Sequence, residues 1–303
     1  MCTGSESLPS VITEGCPEIG YGATSTVYRL PDGTVCKIFN PEYSFEEIQR
    51  ESRTAESAWR LGIRVPEPFG MVRDGDRIGI RSEFVSGSSL AELLSGPEDC
   101  YDRILPEYVR ELKHFHETKA GTGNFISAGD TYLEKIDALS GTAWYTPEEL
   151  KKMERLVRSV PDRDTLLHGD YHPKNILVRN GELCFVDLGD TCVGHPIFDF
   201  AMIANTHFII PSVNPSYAGK FFAVDPRIML RLWDDVFRQY FSGVSQERQN
   251  IIRKGIMAFA ILRQGLSPAD GRVFPERVLK ENVAVTKRKL LPEIDLITGS
   301  IDW

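Results

Sequence analysis

Apolar and polar residues change their spacing part-way along this chain. Residues 1 to about 86 carry short apolar runs typical of strands, with a single helical stretch among them. Residues from about 87 onward show mostly helical spacing, with one hairpin inside. The residues at 85–89, Val-Ser-Gly-Ser-Ser, are small and indicate a flexible joint between the two parts. The pattern predicts a β-rich N-terminal part and a mainly helical C-terminal part.

The N-terminal part begins with a predicted hairpin followed by a helix. A turn at 31–33, Pro-Asp-Gly, leads into a strand over residues 34–39. Ser44, with Glu47 three residues later, forms a capping box that predicts the start of the helix. Gly62 predicts its end.

A lysine and a glutamate fall on positions that the pattern assigns to buried faces. Lys37 interrupts an otherwise apolar strand, where it needs an anionic partner or a route to solvent. On the helix, Ile48, Ala55 and Trp59 form the apolar stripe at about 100° per residue. Glu51 lies about 60° from Ile48 on that stripe. We expect Glu51 to pair with Lys37, although a lysine reaching solvent and a glutamate at the edge of the stripe remain alternatives.

A glycine-containing stretch precedes this strand. Gly20 and Gly22 are followed by small hydroxyl residues, among them Ser25, and then by a β-type run. Glycines here would let backbone N–H groups approach phosphate oxygens closely. Short glycine motifs often occur by chance, so an ordinary hairpin that contains glycine is the alternative.

The most informative stretch of the chain is a second hairpin. Asn180-Gly181 between two apolar β-type runs is a strong signal for a tight two-residue turn. Asn175 lies where the chain enters this hairpin, and Asp187 lies where the chain leaves it. Antiparallel pairing brings these two ends together, with Asp170 on the loop just before.

The side chains at this end of the hairpin suit phosphoryl transfer. Asp187 and Asn175 offer the hard oxygen ligands that Mg²⁺ takes together with phosphates and waters. Asp170 is left to accept a hydrogen bond or a proton from an attacking hydroxyl. Phosphoryl transfer needs metals, a cationic clamp and an oriented nucleophile. The alternative is a polar-capped hairpin with incidental acids.

Composition excludes several classes of protein. The chain has 303 residues, which suits one large domain or two lobes. Its 35 basic and 43 acidic residues give a net charge of −8, so nucleic acid is disfavoured as the main partner. The six cysteines form no CxxC pair, which argues against a zinc site or a disulfide framework. The first ten residues lack a signal-peptide pattern, and no apolar run reaches the about 18 residues needed to span a bilayer. We expect a cytoplasmic protein that binds no membrane.

The spacing of these motifs resembles a known family. His168-Gly169-Asp170, Asn175 five positions later and then Asp187 are similar to the catalytic loop of the aminoglycoside phosphotransferase and choline kinase superfamily. The resemblance covers about residues 15–210. It implies an α+β, bilobal protein kinase-like fold. Residues 1–86 would form a small β-rich N-lobe that binds nucleotide. Residues 87–303 would form a larger, mainly helical C-lobe with the catalytic loop, the metal site and acceptor-binding helices.

The resemblance also implies roles for individual residues. Asp170 would be the catalytic residue, and Asn175 and Asp187 would bind Mg²⁺. Lys37 would contact the α- and β-phosphates of the nucleotide, and Glu51 would hold Lys37. The remaining nucleotide-binding positions would be the glycine loop and the backbone of the hinge 83–85: Gly20, Gly22, Ser25, Glu83 and Val85.

Further residues near the motif have supporting or undecided roles. Asp199 would brace the catalytic loop, and His168 would orient it. His195 replaces an acid that the family usually carries, and is expected to be a neutral packing residue or a substrate contact. Asp190 is expected to be an exposed loop acid, with an extra metal or substrate carboxylate as the alternative, and Lys174 is expected to be a solvated loop charge. His116 is expected to be a core histidine. The end of the chain, Asp302-Trp303, is expected to be frayed, and the alternative is that it folds back toward the site.

The resemblance favours a small-molecule kinase over a protein kinase. Little chain separates Asp187 from Asp199, so a long activation segment has no room. Gly169 stands where protein kinases carry the Arg that reads an activation-loop phosphate. A non-catalytic nucleotide-binding pseudokinase and a protein kinase are the alternatives. In the family pattern the third glycine of the nucleotide loop is absent here, with Ser25 near its place.

The expected function is therefore transfer of the γ-phosphate of ATP, with Mg²⁺, to a hydroxyl group of a small molecule. GTP stays possible because the hinge contacts the base through backbone groups. An aminoglycoside, a choline-like compound, a sugar and an amino acid all remain open as acceptor, and so does the oligomeric state. Five residues of the predicted C-lobe could line a cationic pocket: Trp144, Tyr145, Trp233, Asp234 and Asp235. At helical spacing, residues of these types are more often core aromatics and a solvated face.

Overall fold

A computed structural model describes residues 8–22, 24–96, 98–121, 123–270, 274–298, 301 and 303, and the chain forms two compact units. The first unit comprises the chain up to Leu90 together with Asn175–Asp190. The second comprises Ala91–Lys174 and Thr191–Trp303. Our sequence boundary lies at residue 86 and assigns the second hairpin to the C-lobe, whereas that hairpin belongs to the first unit.

An antiparallel five-stranded sheet forms the centre of the first unit, in the order β1-β2-β3-β5-β4. Alternation along β3 sends Cys36 and Ile38 into one apolar cluster, with Leu30 and Val72. The next cluster joins Phe39 to Ile80 and to Ile48 of the following helix. Because side chains alternate along a strand, Lys37 faces the same side as Phe39. The strands span Glu18–Tyr21 (β1), Ser25–Arg29 (β2), Val35–Phe39 (β3), Pro68–Asp74 (β4) and Arg77–Ser82 (β5).

The long helix in the described part of this unit is α1, Phe45–Arg60, which packs on β4 and β5. Its capping box is confirmed, since Ser44 and Glu47 exchange side-chain and backbone hydrogen bonds. The predicted apolar stripe is partly wrong: Ile48 is buried, but Trp59 is 44% exposed. The helix turns Ser52, Thr54 and Ala58 inward, so small side chains lie on its buried side.

The second hairpin forms as predicted. Asn180 and Gly181 have φ angles of 54° and 85°, as a type I′ turn requires. The strand β6 pairs with β8, and a Cβ on Gly87 would overlap the Val178 carbonyl. Residues 87–89 are therefore held against β8 through their main chain, and the boundary between the two units follows directly, after Leu90. This three-stranded sheet contains Ser88–Ser89 (β6), Ile176–Arg179 (β8) and Glu182–Phe185 (β9).

The second unit is mainly helical, as predicted, with a short antiparallel pair formed by β7 (Leu166–Leu167) and β10 (Cys192–Val193). Helix α6 packs against α10, and α3 packs against α9. A π-helix at Asn205–Ile209 follows α6, and a second lies at Thr286–Leu290. Among the described residues, we find no helix with the length and apolar character needed to cross a membrane. The helices are α2 (Leu90–Leu94), α3 (Glu98–Glu117), α4 (Ala128–Ala138), α5 (Pro147–Arg158), α6 (Ile197–Ala204), α7 (Ile210–Val213), α8 (Pro215–Phe222), α9 (Pro226–Tyr240), α10 (Gln246–Gly265), α11 (Glu276–Val285) and α12 (Ile294–Ile297).

Candidate active site

A lysine held between two carboxylates is the main polar feature of the first unit. Lys37 Nζ lies 2.7 Å from Glu51 Oε1 and 2.8 Å from Asp187 Oδ1. The lysine and Glu51 side chains are only 19% and 16% exposed, whereas Asp187 is 51% exposed. The predicted pairing of Lys37 with Glu51 is therefore present, and Asp187 joins it from a position 150 residues away in the chain.

Local structure explains how these three side chains meet. Lys37 lies on the central strand β3, on the face that α1 covers, and Glu51 lies in the second turn of α1. Asp187 follows β9 directly. Gly189 lets the chain pass closely here, because a Cβ at that position would come within 3.0 Å of Glu51 Oε2.

The cluster carries more negative than positive charge. Burial alone would lower the pKa of Lys37, but the charges of Glu51 and Asp187 outweigh it and raise this pKa above its ordinary value. Burial raises the pKa of Glu51, although the charge of Lys37 opposes this. One ammonium therefore neutralises the two carboxylates only in part, and the negative charge that remains would favour a further cation.

The two predicted metal ligands lie at the open end of the hairpin. The backbone N–H of Val186 donates to the carbonyl of Asn175 at 2.9 Å, which fixes Asp187 one residue from this contact. Asp187 has a φ of 61°, a left-handed conformation that is uncommon outside glycine and is found at functional sites.

The donor set fits Mg²⁺ held mainly by a nucleotide. Within the described ranges, no group of three or more His, Cys, Asp or Glu side chains could hold a metal ion. Mg²⁺ does not require one, because it is commonly bound by one or two protein carboxylates together with phosphates and waters. Asn175 and Asp187 supply hard oxygen donors of this kind, beside the excess negative charge.

The glycine stretch forms a tight turn between β1 and β2. Gly22 N–H donates to the Ser25 carbonyl at 3.0 Å, while Ala23 lies outside the described residues. Ser25 is buried, with its hydroxyl 3.3 Å from that of Thr24. The fold does not itself require glycine here: a Cβ on Gly22 would come no closer than 3.9 Å to a neighbour, and one on Gly20 would make ordinary contacts. Glycine at such a place is what close approach of a ligand to the backbone needs.

The predicted hinge follows β5 and is attached to two other segments of the first unit. Glu83 N–H donates to the Glu67 carbonyl at 2.9 Å, and the Glu83 carboxylate forms an ion pair with Arg179 of β8. Val85 is buried. The Arg64 guanidinium donates to the carbonyl of Leu183 in β9 at 3.2 Å. Sequence reasoning missed these two arginines because their partners lie far away along the chain.

The predicted catalytic carboxylate lies in the second unit. Asp170 Oδ2 is 3.3 Å from His172 Nε2, and its side chain is 20% exposed. Burial acts to raise the pKa of Asp170, but His172 and His168 outweigh it and hold this pKa well below its ordinary value. The carboxylate is therefore ionised at neutral pH. The backbone N–H of Asp170 also donates to His168 Nδ1 at 3.3 Å.

Asp199 braces the loop that carries Asp170, as predicted. It accepts hydrogen bonds from the backbone N–H groups of His168, at 2.9 Å, and Gly169, at 2.7 Å. Gly169 has a φ of 80°, which a side-chain-bearing residue adopts with difficulty. His116 is buried, as expected, and its Nε2 also contacts Asp199 at 3.1 Å. Sequence reasoning missed this second link because it joins positions 83 residues apart.

His195 is a neutral packing residue. It is fully buried, and its Nδ1 accepts the N–H of Ile197 at 3.1 Å, so its Nε2–H donates to the Trp303 carbonyl at 2.7 Å. Burial lowers the pKa of His195 to about 4. Trp303 packs edge-on against His195, so the frayed end that we expected is wrong at this residue. Asp302 lies outside the described residues, and Asp190 is exposed as expected.

Four of the five residues considered for a cationic pocket are buried or paired with arginines. Trp233 and Tyr145 are buried, and the Tyr145 hydroxyl donates to the Gly265 carbonyl at 2.8 Å. Asp234 pairs with Arg253 at 3.0 Å. The largely buried Asp235 accepts from the Tyr101 hydroxyl at 2.9 Å and pairs with arginines. The alternative interpretation, core aromatics and a solvated face, therefore holds for Tyr145, Trp233 and the exposed Asp234. It is wrong for Asp235, which is largely buried, and Trp144 is half-buried.

Two bacterial proteins are distant relatives of this chain. Protein LicA of Haemophilus influenzae is 22% identical over 184 residues, which cover 58% of this chain and 50% of the relative. LicA of a second strain is 23% identical over 193 residues, which cover 58% of this chain and 64% of that protein. The chain thus spans between half and two thirds of the curated relatives that it matches.

Solved structures show the fold over nearly the whole chain. APH(2'')-IIa, in a ternary complex with streptomycin and ATP, superposes with a TM-score of 0.56 at 17% identity, and the match covers 92% of both chains. A choline/ethanolamine kinase family protein from Mesorhizobium loti gives a TM-score of 0.59 at 14% identity, over 94% of this chain and 92% of that one. The predicted α+β, protein kinase-like fold is therefore confirmed.

The family itself is settled by a match of the sequence to a family profile. Residues 15–228 match the profile described as the phosphotransferase enzyme family, which is more than half of the chain. The range contains Lys37, Glu51, Asp170, Asn175 and Asp187, and it begins where the sequence resemblance begins. The chain belongs to the phosphotransferase enzyme family.

Proposed function

We propose that this protein transfers the γ-phosphate of ATP to a hydroxyl group of a small molecule. The observation that carries the proposal is the arrangement around Lys37, which is held at hydrogen-bond distance by Glu51 and Asp187. A buried ammonium positioned by a helix glutamate, beside an exposed carboxylate, is the arrangement that binds nucleotide phosphates in kinases. Membership of the phosphotransferase enzyme family supports it.

Lys37 would contact the phosphates while Glu51 keeps its side chain in place. Its raised pKa keeps the ammonium charged at every physiological pH. Asn175 and Asp187 would hold Mg²⁺, which when bound neutralises charge on the phosphate oxygens. Gly20, Gly22 and Ser25 would place backbone N–H groups and a hydroxyl near the phosphates. The backbone at Glu83 and Val85 would contact the base, and the Glu83 main chain is held in place by Glu67.

Asp170 would orient the acceptor hydroxyl. Because its pKa is held low, Asp170 is a weak proton acceptor, so its main contribution is to accept a hydrogen bond from the hydroxyl. This hydrogen bond is nearly sufficient when phosphoryl transfer passes through a loose transition state, because the attacking oxygen then needs only positioning until late in the reaction. Asp199 and His168 would keep the loop that carries Asp170 in shape.

The acceptor is proposed to be a small molecule because of the chain that follows Asp187. Only eleven residues separate Asp187 from Asp199, and β10 and the start of α6 account for part of them. An activation segment that presents a protein substrate has no room there. A pseudokinase would bind nucleotide without transfer, whereas here each expected catalytic position holds a residue of the required chemistry.

The test is Mg²⁺-dependent release of ADP from ATP in the presence of a panel of hydroxyl compounds, with phosphoproduct detected by mass spectrometry. We expect at least one acceptor to be phosphorylated, and GTP should be run beside ATP. Asp170→Asn and Asp187→Ala should abolish turnover with little change in the unfolding midpoint. Exposed Asp295→Asn, distant in sequence from every motif, serves as the control. Transfer at the wild-type rate by either variant contradicts the assignment, and labelling of general protein acceptors alone would favour a protein kinase.

A further inference from the structure

Exposed apolar side chains concentrate on one short segment of the second unit. Phe208, Val213, Tyr217 and Phe221 are 37%, 73%, 46% and 44% exposed. They are four of the twelve large apolar side chains exposed in the described part of the chain, and they fall within fourteen residues. We name these four side chains the 208–221 face. Single exposed apolar residues are ordinary, but a group of them marks a binding surface.

Two rings of this face are stacked and point outward. Tyr217 and Phe221 lie one turn apart on α8, with ring centroids 5.5 Å apart and planes inclined by 15°. About 100° further round the helix, Ala218 and Phe222 are buried. The packing of α8 therefore uses Ala218 and Phe222, and leaves the stacked pair available to a ligand with a flat apolar surface.

The 208–221 face adjoins the catalytic loop. Phe221 contacts the ring of Phe222 at 5.0 Å between centroids, and Phe222 packs edge-on against His172 at 5.3 Å. His172 Nε2 in turn lies 3.3 Å from Asp170 Oδ2. The Lys174 ammonium, four residues beyond Asp170, lies 5.0 Å from the centre of the Phe221 ring.

A second set of contacts ties the start of the same segment to this loop. Phe208 belongs to the π-helix Asn205–Ile209, and such helices are frequent at functional sites. The neighbouring His207 is fully buried, with Nε2 3.0 Å from the Tyr108 hydroxyl. That hydroxyl lies 3.5 Å from the carbonyl of Tyr171, which directly follows Asp170. The segment is thus connected to the loop from both of its ends.

The charge of the segment limits what can bind there. Residues 206–224 contain no Asp or Glu, and Lys220 is their only Lys or Arg. The Lys174 ammonium already lies over the Phe221 ring, where a ligand cation would otherwise bind. A polycation would meet Lys174 and Lys220 beside the aromatic rings, whereas a neutral or anionic ring compound meets flat aromatic surfaces and compatible charge.

We propose that the 208–221 face binds the acceptor, and that the acceptor is a neutral or anionic hydroxyl compound with an aromatic or similarly flat apolar ring. The proposal rests on the proposed phosphotransferase function and narrows its substrate class. Asp170 receives the hydroxyl, and Tyr217 and Phe221 receive the ring of the same molecule. Tyr217 and Phe221 are then specificity-determining residues of the acceptor.

The test compares matched acceptors. Phenyl β-D-glucopyranoside, 2-phenylethanol and 4-(hydroxymethyl)benzoate carry an aromatic ring, whereas methyl β-D-glucopyranoside, choline and kanamycin carry none. We expect phenyl glucoside to exceed methyl glucoside in kcat/KM by about 2- to 12-fold, the range of one aromatic contact. Tyr217→Ala and Phe221→Ala should each lose a similar factor for ring compounds, with the KM for ATP unchanged. Phe274→Ala removes a ring of equal exposure, 45%, and should lose nothing.

The outcomes separate this proposal from the function on which it rests. Three outcomes would overturn the assignment of the face: preference for kanamycin or choline, failure of every aromatic compound in an enzyme that phosphorylates other acceptors, and equal losses in Phe274→Ala. Saturation-transfer NMR on phenyl β-D-glucopyranoside reports binding without turnover. Its phenyl signal should fall in the double variant Tyr217→Ala/Phe221→Ala, and an unchanged signal would also overturn the assignment. Absence of Mg²⁺-dependent ATP turnover with every acceptor would instead count against the proposed function.

Discussion

Replacing Glu51 by glutamine should separate the stability of the fold from the catalytic position of Lys37. Glu51 Oε1 lies 2.7 Å from Lys37 Nζ, and the glutamate side chain is only 16% exposed. Removing one partner of a buried ion pair commonly costs about 3–5 kcal/mol, because the other charge is left uncompensated. Lys37, however, keeps Asp187 at 2.8 Å, so its charge retains a partner in the variant.

The direction of the pKa shift gives the sign of the stability effect. The pKa of Glu51 is raised because burial disfavours its charged form by more than Lys37 favours it. A carboxyl group with a raised pKa in the folded state adds stability below its ordinary pKa, and this contribution is lost as pH rises through the raised value. Burial of the Glu51 charge therefore offsets much of what its ion pair with Lys37 contributes to the stability of the fold. We expect the free energy of unfolding of Glu51→Gln to lie within about 1 kcal/mol of wild type, or above it.

Activity should respond in the opposite way. Without the glutamate charge, Lys37 is held by Asp187 alone, and its ammonium is no longer fixed on the α1 side of the cluster. A displacement of about 1 Å at a reacting group lowers the rate by about 100-fold, or about 2.7 kcal/mol of transition-state free energy. We expect kcat/KM for ATP to fall by this factor.

Two measurements on the same preparation decide the matter: urea unfolding followed by tryptophan fluorescence, and steady-state ADP release. Glu56→Gln is the matched control, because Glu56 lies on the same helix, is 49% exposed and forms an ion pair with Arg60 on the helix surface, away from Lys37. It should change neither quantity. A loss of about 3 kcal/mol or more in Glu51→Gln with unchanged kcat/KM would refute the reasoning, because Glu51 would then serve the fold and not Lys37.

Three further predictions follow from the same geometry. First, the pKa of His195 is lowered to about 4 in the folded protein. As pH falls below about 6.5, the histidine takes up a proton in the unfolded chain but not in the folded one. The contribution of His195 to stability is therefore complete above about pH 6.5, and about 3 kcal/mol of it should be lost by about pH 4. Urea unfolding should show a shallower loss over this range in His195→Gln, and equal slopes would contradict the neutral, buried histidine. Second, Asp199→Asn should lower stability by about 2–4 kcal/mol in urea unfolding, because one of the buried N–H groups of His168 and Gly169 would face an amide N–H in place of a carboxylate oxygen; wild-type stability would show that these bonds do not brace the loop. Third, chelation of divalent cations by EDTA should abolish ATP turnover and added Mg²⁺ should restore it, whereas activity that persists in EDTA would argue against Asn175 and Asp187 as metal ligands.

The parts of the site that the sequence predicted depend on short-range rules. Asn180-Gly181 specifies a tight turn by its backbone preferences alone, so the hairpin and the pairing of its ends near Asn175 and Asp187 could be foreseen. Lys37 and Glu51 could be paired because strand alternation and helix periodicity each assign a face to one residue. Both rules act over a few residues, where local geometry dominates.

The parts that were missed depend on packing between distant segments. Arg179 meets Glu83 across 96 positions, and His116 meets Asp199 across 83. Periodicity states only that such a residue is buried or exposed, and it does not name the partner. Trp59 shows the same limit on one helix. Periodicity places it on the apolar stripe with Ile48, but Trp59 is exposed, and the small side chains of Ser52, Thr54 and Ala58 share the buried side of α1 with Ile48.

The central claim is that Lys37, Asn175 and Asp187 act on the phosphates of a Mg²⁺-bound nucleotide that gives up its terminal phosphate. Phosphorus NMR of MgATP, incubated with the wild-type protein and a pool of hydroxyl compounds, tests it most directly. The account predicts that the γ-phosphate resonance declines while ADP and a phosphomonoester appear, and that Lys37→Met leaves ATP intact over the same time. Unchanged ATP with the wild-type protein, or equal conversion by Lys37→Met, would contradict it.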